Sequence, residues 1–165
     1  MMNKILKGFK LTTLGACLTL ALTTGVITTA ASAASNVDEV RAAQAAKISL
    51  KQAITIASKS ASGILISADF DEDDSDAIGK GGVYELEFST DSVNYEVKVD
   101  ANTGKIVKKE TDRLDGDGIN VYQVQKKAKT DIMKAINIAE KQTGGKILEI
   151  EFENDRDYAN HTAYY

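Results

Sequence analysis

Six acidic residues crowd eight consecutive positions near the middle of the chain and form its densest group of side chains able to do chemistry. They are Asp69, Asp71, Glu72, Asp73, Asp74 and Asp76. Carboxylate oxygens are the ligands that Ca²⁺ prefers, and outside a cell roughly millimolar affinity is sufficient. The five Asp residues are therefore candidate calcium ligands.

The spacing of these carboxylates does not match the calcium loop of an EF-hand. Counting from Asp71, Asp76 stands where the loop requires Gly, and Gly82 stands where it requires the closing Glu. A solvated hairpin loop is the alternative interpretation, because its charges would oppose association between sheet edges. A second acidic run, residues 111–118, also resembles a calcium loop but lacks the closing Glu, so we interpret it as a flexible linker.

The side chains needed for catalysis are mostly absent from the sequence. His161 is the single histidine, so a histidine metal site or a Ser-His-Asp triad has little to draw on. Several glutamates alternate with apolar residues, which is typical of the solvent face of a sheet rather than of a catalytic acid–base pair. They are Glu85, Glu87, Glu96, Glu149, Glu151 and Glu153. The sequence therefore predicts no enzyme and no cofactor.

An internal repeat indicates which elements position these residues. The segment from Lys47 to Asp71 recurs from Lys129 to Glu153, 82 residues later and without a gap, and eight of its 25 positions are identical. Most of the other apolar positions exchange one aliphatic residue for another, so the repeat preserves packing rather than reactive groups. A repeat of this kind indicates a duplicated structural unit.

Each copy of the repeat begins with a predicted helix. Ser49 is the expected N-cap of the first helix, with Gln52 completing a capping box, and Gly63 is expected to end it. Its apolar face consists of Leu50, Ala53, Ile54 and Ala57. In the second copy Asp131 is the expected cap and Gly144-Gly145 the expected stop. The second apolar face consists of Ile132, Ala135, Ile136 and Ala139.

Alternating apolar and polar residues after the helices predict strands. The strand that starts at Ile64 has a counterpart around Leu148. Two further strands, residues 84–88 and 93–99, are expected to pair as a hairpin, and residues 106–107 give a short last strand. The predicted fold class is α+β: a helix packed on a small antiparallel sheet, repeated, with the second copy incomplete.

The first 33 residues have the three parts of an export signal. Three lysines come first, an uncharged apolar run spans residues 11–30, and Ala31-Ser32-Ala33 offers a cleavage site. Cleavage after Ala33 is predicted, which would make the protein secreted or attached at the cell surface. The alternatives are a permanent membrane span and a lipid anchor at Cys17, the single cysteine.

The charge of the remaining chain limits its partners. Loss of the signal would remove three of the 20 basic residues and none of the 24 acidic ones, which leaves a net charge of −7. That charge argues against a nucleic-acid partner, because phosphate binding requires a basic face. Contact with a membrane is expected only through an uncleaved signal segment.

Several sequence features together resemble the PepSY domain family. A helix of the pattern I-S-x-x-x-A-I-x-x-A runs from Ile48 to Ala57, Gly63 follows, and an acidic amphipathic strand continues to Asp71. The run Y-E-V-K-V-D-A-N-T-G-K-I, residues 95–106, is the most specific of these features. The resemblance covers residues 47–109 in full and residues 129–165 in part.

The resemblance implies a small helix-and-sheet module without catalytic residues, of the kind found in propeptides of secreted metallopeptidases and in exported bacterial proteins. Its implied role is to bind and restrain a secreted or cell-surface peptidase, so the expected partner is a protein. Two surfaces are expected to bind it: the outer face of the sheet, represented by Glu85, Glu87, Glu96 and Lys98, and the acidic run from Asp69 to Asp76. A cell-envelope sensor or adhesion module assisted by calcium is the alternative function.

The predicted organisation has five parts. They are a signal peptide at 1–33, an N-terminal extension at 34–46, a PepSY-like unit at 47–109, a linker at 110–128 and a second, truncated PepSY-like unit at 129–165. The second unit reaches Tyr165 just as its second strand begins. We therefore expect either a longer natural chain or a second unit that packs on the first unit or on a partner.

Overall fold

The computed structural model describes residues 9–14 and 35–152, which contain six strands and four helices. The strands are β1 (Phe9–Leu14), β2 (Ile64–Asp71), β3 (Val83–Ser89), β4 (Val93–Asp100), β5 (Ile106–Arg113) and β6 (Lys146–Phe152). The helices are α1 (Ser35–Ala45), α2 (Leu50–Ala57), α3 (Gly116–Gln125) and α4 (Ile132–Thr143). The predicted cleavage site lies outside the described residues, and so do Cys17, Glu153, His161 and Tyr165.

The six described strands form one antiparallel sheet in the order β1-β6-β2-β3-β4-β5. β3 and β4 pair as the predicted hairpin, closed by a backbone hydrogen bond from Thr90 N–H to Val93 O at 2.8 Å. β2 lies between β3 and β6, and Ala68 of β2 pairs directly with Ile150 of β6. The predicted α+β class and antiparallel sheet are therefore confirmed.

The helices α2 and α4 begin at the predicted caps. Ser49 Oγ accepts a hydrogen bond from Gln52 N–H at 3.3 Å, and the Gln52 side chain accepts one from Ser49 N–H at 2.8 Å, which completes the capping box. Asp131 Oδ1 accepts from Lys134 N–H at 2.7 Å. α4 ends at Gly144, whose φ of 69° is left-handed, as expected for a glycine stop. None of the helices in the described part of the chain is long and apolar enough to span a membrane.

One hydrophobic core joins the two halves of the chain. The apolar faces of α2 and α4 are buried in a single cluster against the sheet, where Ile54 is 4% exposed and Ile136 is fully buried. The two helices also contact each other, because Lys51 Nζ lies 2.5 Å from Glu140 Oε2. Polar residues that alternate with the core residues lie on the side of the sheet away from the core, which we call the outer face.

Gly63 has a different role from the predicted one. It does not end α2, which stops at Ala57 with Ser58 as its C-cap. Gly63 has a φ of 107°, and a Cβ at this position would lie 2.2 Å from Ser89 O at the end of β3. Glycine is therefore required here for close approach of two chain segments and for its backbone conformation.

Two strands extend the sheet beyond the prediction. β5 continues to Arg113 instead of stopping at Val107, because its backbone follows β4 along the whole ladder. β1 lies within the predicted export signal and pairs with β6. The backbone N–H and C=O groups of a strand need partners, and β1 supplies them along one side of β6.

The segment predicted as a linker, residues 110–128, contains the end of β5 and all of α3. Asp115 caps α3 by accepting a hydrogen bond from Gly118 N–H at 2.8 Å. At the other end of α3, the buried Gln125 donates from Nε2 to Leu65 O of β2 at 2.6 Å. Capping and contact with β2 therefore hold part of the predicted linker as a helix.

Candidate binding surface

The carboxylate of Asp100 organises the turn after β4. It is fully buried, and its Oδ1 accepts hydrogen bonds from Thr103 N–H at 2.7 Å and from Thr103 Oγ1 at 2.6 Å. Its Oδ2 accepts from Ile78 N–H at 2.8 Å. Burial opposes ionisation, but these hydrogen bonds outweigh it and lower the pKa of Asp100. Asp100 therefore ties the acidic loop, residues 72–82, to the end of the sheet.

A second buried carboxylate holds the same loop against the outer face. The side chain of Asp74 is 6% exposed and lies 2.6 Å from Nζ of Lys98, whose side chain is 12% exposed. Three further carboxylates surround this ammonium at 3.7 to 3.9 Å, namely those of Asp76, Glu85 and Glu96. Lys98 is thus the centre of an ion-pair network beneath the loop.

The pKa values of this pair favour the charged forms. The hydrogen bond with Asp74 raises the pKa of Lys98 above its usual range, against the opposing effect of burial. Burial alone would raise the pKa of Asp74, but the hydrogen bonds from Lys98 and from Asp76 N–H lower it. Both groups therefore stay ionised at neutral pH, and charge-assisted hydrogen bonding fixes the loop.

The remainder of the outer face is predominantly acidic. One row across five strands contains Glu151, Ser67, Glu87, Glu96 and Glu110. The neighbouring row contains Asp69, Glu85, Lys98 and Lys108. Because carboxylates outnumber ammonium groups in these rows, the face is electrostatically suited to a basic partner.

Asp69 lies among four other carboxylates. Burial, followed by repulsion from Glu85, Glu149, Asp71 and Glu39, raises the pKa of Asp69 to about 7. The four acidic neighbours come from three strands and from α1. Asp69 therefore changes its charge close to neutral pH.

The four residues predicted as the partner-binding surface lie together on the outer face, but they differ in accessibility. Glu85 and Glu96 are about one-third exposed, whereas Lys98 is covered by the acidic loop. Glu87 accepts a hydrogen bond from Asn94 Nδ2 at 2.7 Å. The glutamates are therefore the accessible members of the set, and Lys98 is a structural one.

Three of the five calcium candidates have hydrogen-bond or ion-pair partners within the chain. Asp74 and Asp76 are engaged with Lys98, and Asp71 Oδ1 accepts a hydrogen bond from Asp73 N–H at 2.9 Å. Among the residues that the structure describes, no group of three or more Asp, Glu, His or Cys side chains is arranged to hold a metal ion.

An open cleft of about 510 Å³ lies beside the acidic loop. Its lining combines carboxylates with one lysine and one amide, contributed by Asp38, Glu72, Asp73, Lys80 and Asn102. Among the described residues, no Ser, Cys or His lines the cleft.

The Asp100 turn and most of the outer face fall within a part of the chain that matches a known family. Residues 47–110 match the family model described as PepSY, the peptidase propeptide and YPEB domain. This segment is a PepSY domain. PepSY domains are generally propeptide or regulatory modules rather than catalytic ones, and they occur in extracellular or envelope proteins. Comparison with curated proteins gave no match, and comparison with solved structures gave none either.

Within the PepSY domain, the run D-A-N-T-G-K has a structural explanation. Ala101 O accepts hydrogen bonds from Lys47 N–H and Ile48 N–H at 3.1 Å, and Tyr84 Oη donates to Ile48 O at 2.7 Å. The turn therefore fastens the sheet to the segment that precedes α2. Sequence reasoning did not identify Asp100 as a buried anchor, although an Asp that begins a turn often accepts hydrogen bonds from the residues just after it.

Proposed function

We propose that this chain is an exported, non-enzymatic PepSY module that binds and regulates a secreted or cell-surface peptidase. The observation that carries the proposal is the PepSY domain at residues 47–110, from a family that includes peptidase propeptides. A protein is accordingly the expected class of partner. Export follows from the signal-like segment at residues 1–33 and would bring the module into the compartment of its target.

The charge of the outer face supports this proposal. The accessible glutamates extend to the last strand, where the side chain of Glu110 is 49% exposed. A propeptide-like module acts by covering part of its partner, and complementary charge guides such contacts and sets their specificity. The favoured target is therefore a peptidase with a basic surface near its substrate cleft.

The repeat supports a second PepSY-like unit after residue 129. α4 and β6 follow each other as α2 and β2 do, and the caps Ser49 and Asp131 are separated by the repeat length of 82 residues. Two units side by side would present a wider outer face than one unit alone. The wider face would increase the area available to a partner.

Inhibition assays with a panel of secreted metallopeptidases test the proposal. The purified chain should slow hydrolysis of a peptide substrate with an inhibition constant in the roughly micromolar range or tighter. Glu110→Lys should weaken inhibition severalfold, because it reverses an exposed charge on the outer face. Asp91→Lys makes the same charge change in the turn between β3 and β4, and it should leave inhibition unchanged. Unaltered hydrolysis across the panel would contradict a regulatory role.

A further inference from the structure

The two ends of the sheet differ in how strongly their charges oppose pairing with another strand. β5 forms one edge, and most of its residues after Ile106 are charged, with both signs present. Charged edge strands oppose pairing with other chains. At the other end of the sheet β1 is the edge strand, and β6 beside it is mainly apolar and largely buried, with the sequence KILEIEF. Without β1, β6 would therefore present fewer charges than β5 to oppose pairing with another strand.

The sequence of β6 is that of an interior strand. The repeat equates Ile150 with Ala68, and these two residues, separated by the repeat length of 82, pair directly across the β2–β6 ladder. The ladder thus relates the two strands by a local twofold axis. β2 has a strand on each side, and the twofold axis places the outer side of β6 where β3 lies relative to β2. A strand is therefore expected beyond β6.

β1 lies on the outer side of β6, and its sequence indicates which residues can pair there. Phe9 is in register with Phe152, Leu11 with Ile150, and Lys10 with Glu151. The register irregularity falls after Thr12, so the ladder is regular over the first four pairs. The matching strand thus has apolar residues at alternate positions and a cationic residue opposite a glutamate.

The charges of β6 determine which kind of strand is favoured at its outer edge. A second copy of β6, paired antiparallel around Ile150, would place Glu149 opposite Glu151 on both sides of the twofold axis, and like charges in direct cross-strand pairs are destabilising. An acidic row begins at Glu151 and continues through Glu87 and Glu96, so it favours a basic residue opposite Glu151 on the added strand. A cationic segment is therefore favoured over a second copy of this chain.

We propose that the outer edge of β6 is a strand-acceptor site for an extended segment of a partner polypeptide with alternating apolar and cationic residues, and that β1 occupies this site in the full-length chain. Main-chain hydrogen bonds along the ladder provide affinity, and the residues opposite Ile150 and Glu151 provide specificity. The site does not depend on the partner being a peptidase.

A binding assay on the full-length chain tests the proposal. The variant Leu11→Pro/Thr12→Pro removes two consecutive backbone N–H groups, one of which points to β6, and so releases β1 from the edge. A fluorescent peptide with the sequence of residues 8–15, GFKLTTLG, should bind this variant about tenfold or more tightly than the wild-type chain, because β1 competes in the wild type. Fluorescence anisotropy measures the affinity, and circular dichroism checks the fold.

A charge exchange tests the register. A peptide with Glu in place of its Lys should bind the double-proline variant about three- to tenfold more weakly, as expected for one cross-strand charge pair. Adding Glu151→Lys should reverse that preference, whereas Glu110→Lys, the same change on the opposite edge, should not. Failure of a folded double-proline variant to bind GFKLTTLG, or a preference unaffected by Glu151→Lys, would overturn the proposal.

A second pair of variants covers the case in which the double-proline chain does not fold. Lys10→Glu in the full-length chain places like charges opposite each other and should speed hydrogen exchange of the backbone amides of β6 severalfold. Adding Glu151→Lys should restore slow exchange. Exchange that is the same in all three chains overturns the proposal. Because no peptidase takes part, these results are independent of the proposed regulatory function.

Discussion

Two buried carboxylates, Asp74 and Asp100, determine how the acidic loop is held. Each is nearly or fully excluded from solvent, and each is satisfied by short hydrogen bonds. A buried charge that loses its partner is strongly destabilising, so the partners Lys98 and Thr103 are as important as the acids themselves. Part of the acidic run is therefore structural.

Asp100→Ala should lower the free energy of unfolding by roughly 2–4 kcal/mol, because it removes three hydrogen bonds to a buried carboxylate. Urea denaturation at pH 7 measures the change. The lowered pKa of Asp100 means that its contribution is present above the unfolded-state pKa and is lost as the pH falls, so the difference from wild type should shrink below about pH 4. Asp112→Ala, at an exposed position of β5, should cost no more than about 0.5 kcal/mol. Equal losses in the two variants would contradict the anchoring role.

Asp69→Asn should change how stability depends on pH. The pKa of Asp69 is about 7 in the folded chain against 3.8 for the free side chain, so the folded chain holds the extra proton between these values. Wild-type stability should therefore fall as the pH rises from about 4 to about 7. The variant does not lose this stability. Its free energy of unfolding should therefore exceed that of wild type by up to roughly 4 kcal/mol at pH 8, with little difference near pH 4.

Urea denaturation of wild type and Asp69→Asn at pH 4.5 and pH 8 measures this effect. Glu85→Gln removes a neighbouring repulsion and should act in the same direction with a smaller amplitude. Asp91→Asn, in the exposed turn between β3 and β4, should not reproduce the rise at pH 8. A difference between Asp69→Asn and wild type that is equal at both pH values would show that Asp69 does not titrate in this range.

At the scale of elements, the parts of the fold that face the core could be predicted from the sequence. α2 and α4 have a cap and an apolar stripe, and β2, β3 and β4 have alternating burial, so local pattern and tertiary packing agree. α3 could not be predicted in the same way. Gly116 and Gly118 lie in its first turn, and only Tyr122 and Gln125 are buried, so its helical state depends on the cap and on contact with β2.

The residues of the candidate binding surface could be predicted from the sequence, but the fact that the acidic loop covers one of them, Lys98, could not. A period of two places Glu85, Glu96 and Lys98 on one face of the sheet, as observed. The contact between Asp74 and Lys98 spans 24 residues and depends on the path of the acidic loop, which no local periodicity specifies. The charged part of β5 was missed for a related reason, since pairing with β4 and not intrinsic propensity makes it a strand.

Gly63→Ala tests the junction between α2 and β2. The added Cβ would lie 2.2 Å from Ser89 O, and the φ of 107° is unfavourable for alanine, so the variant should lose roughly 2–4 kcal/mol of stability. Gly116→Ala is the matched control, because a Cβ there meets nothing within 4 Å and its position is helical. That control should be neutral or stabilising by up to about 1 kcal/mol. Thermal unfolding followed by circular dichroism compares them, and a neutral Gly63→Ala would contradict the close approach.

At the scale of the whole molecule, the two related segments share one core instead of forming two. α2 contacts β2, β3 and β4, whereas α4 contacts β6 and β2, so β2 is covered by both helices. The ladder between β2 and β6 and the Lys51–Glu140 ion pair add further links. A small helix with one strand buries too little apolar surface to be stable alone. The PepSY domain and the segment after residue 129 are therefore expected to fold as one cooperative unit.

Ile136→Ala tests this cooperativity. Truncating a fully buried isoleucine should lower the free energy of unfolding by roughly 2–5 kcal/mol, and if the core is single the loss should be felt throughout the sheet. Hydrogen exchange of the most protected amides in β3 and β4 should accelerate by roughly thirtyfold or more, although Ile136 lies in the other half of the chain. Ile54→Ala should have the same effect on β6. Ile119→Ala, at a position of α3 that is 38% exposed, should leave both regions nearly unchanged. If Ile136→Ala instead gave two separate unfolding transitions, with β3 and β4 unaffected, the two segments would be independent units and the shared core would contribute little to either.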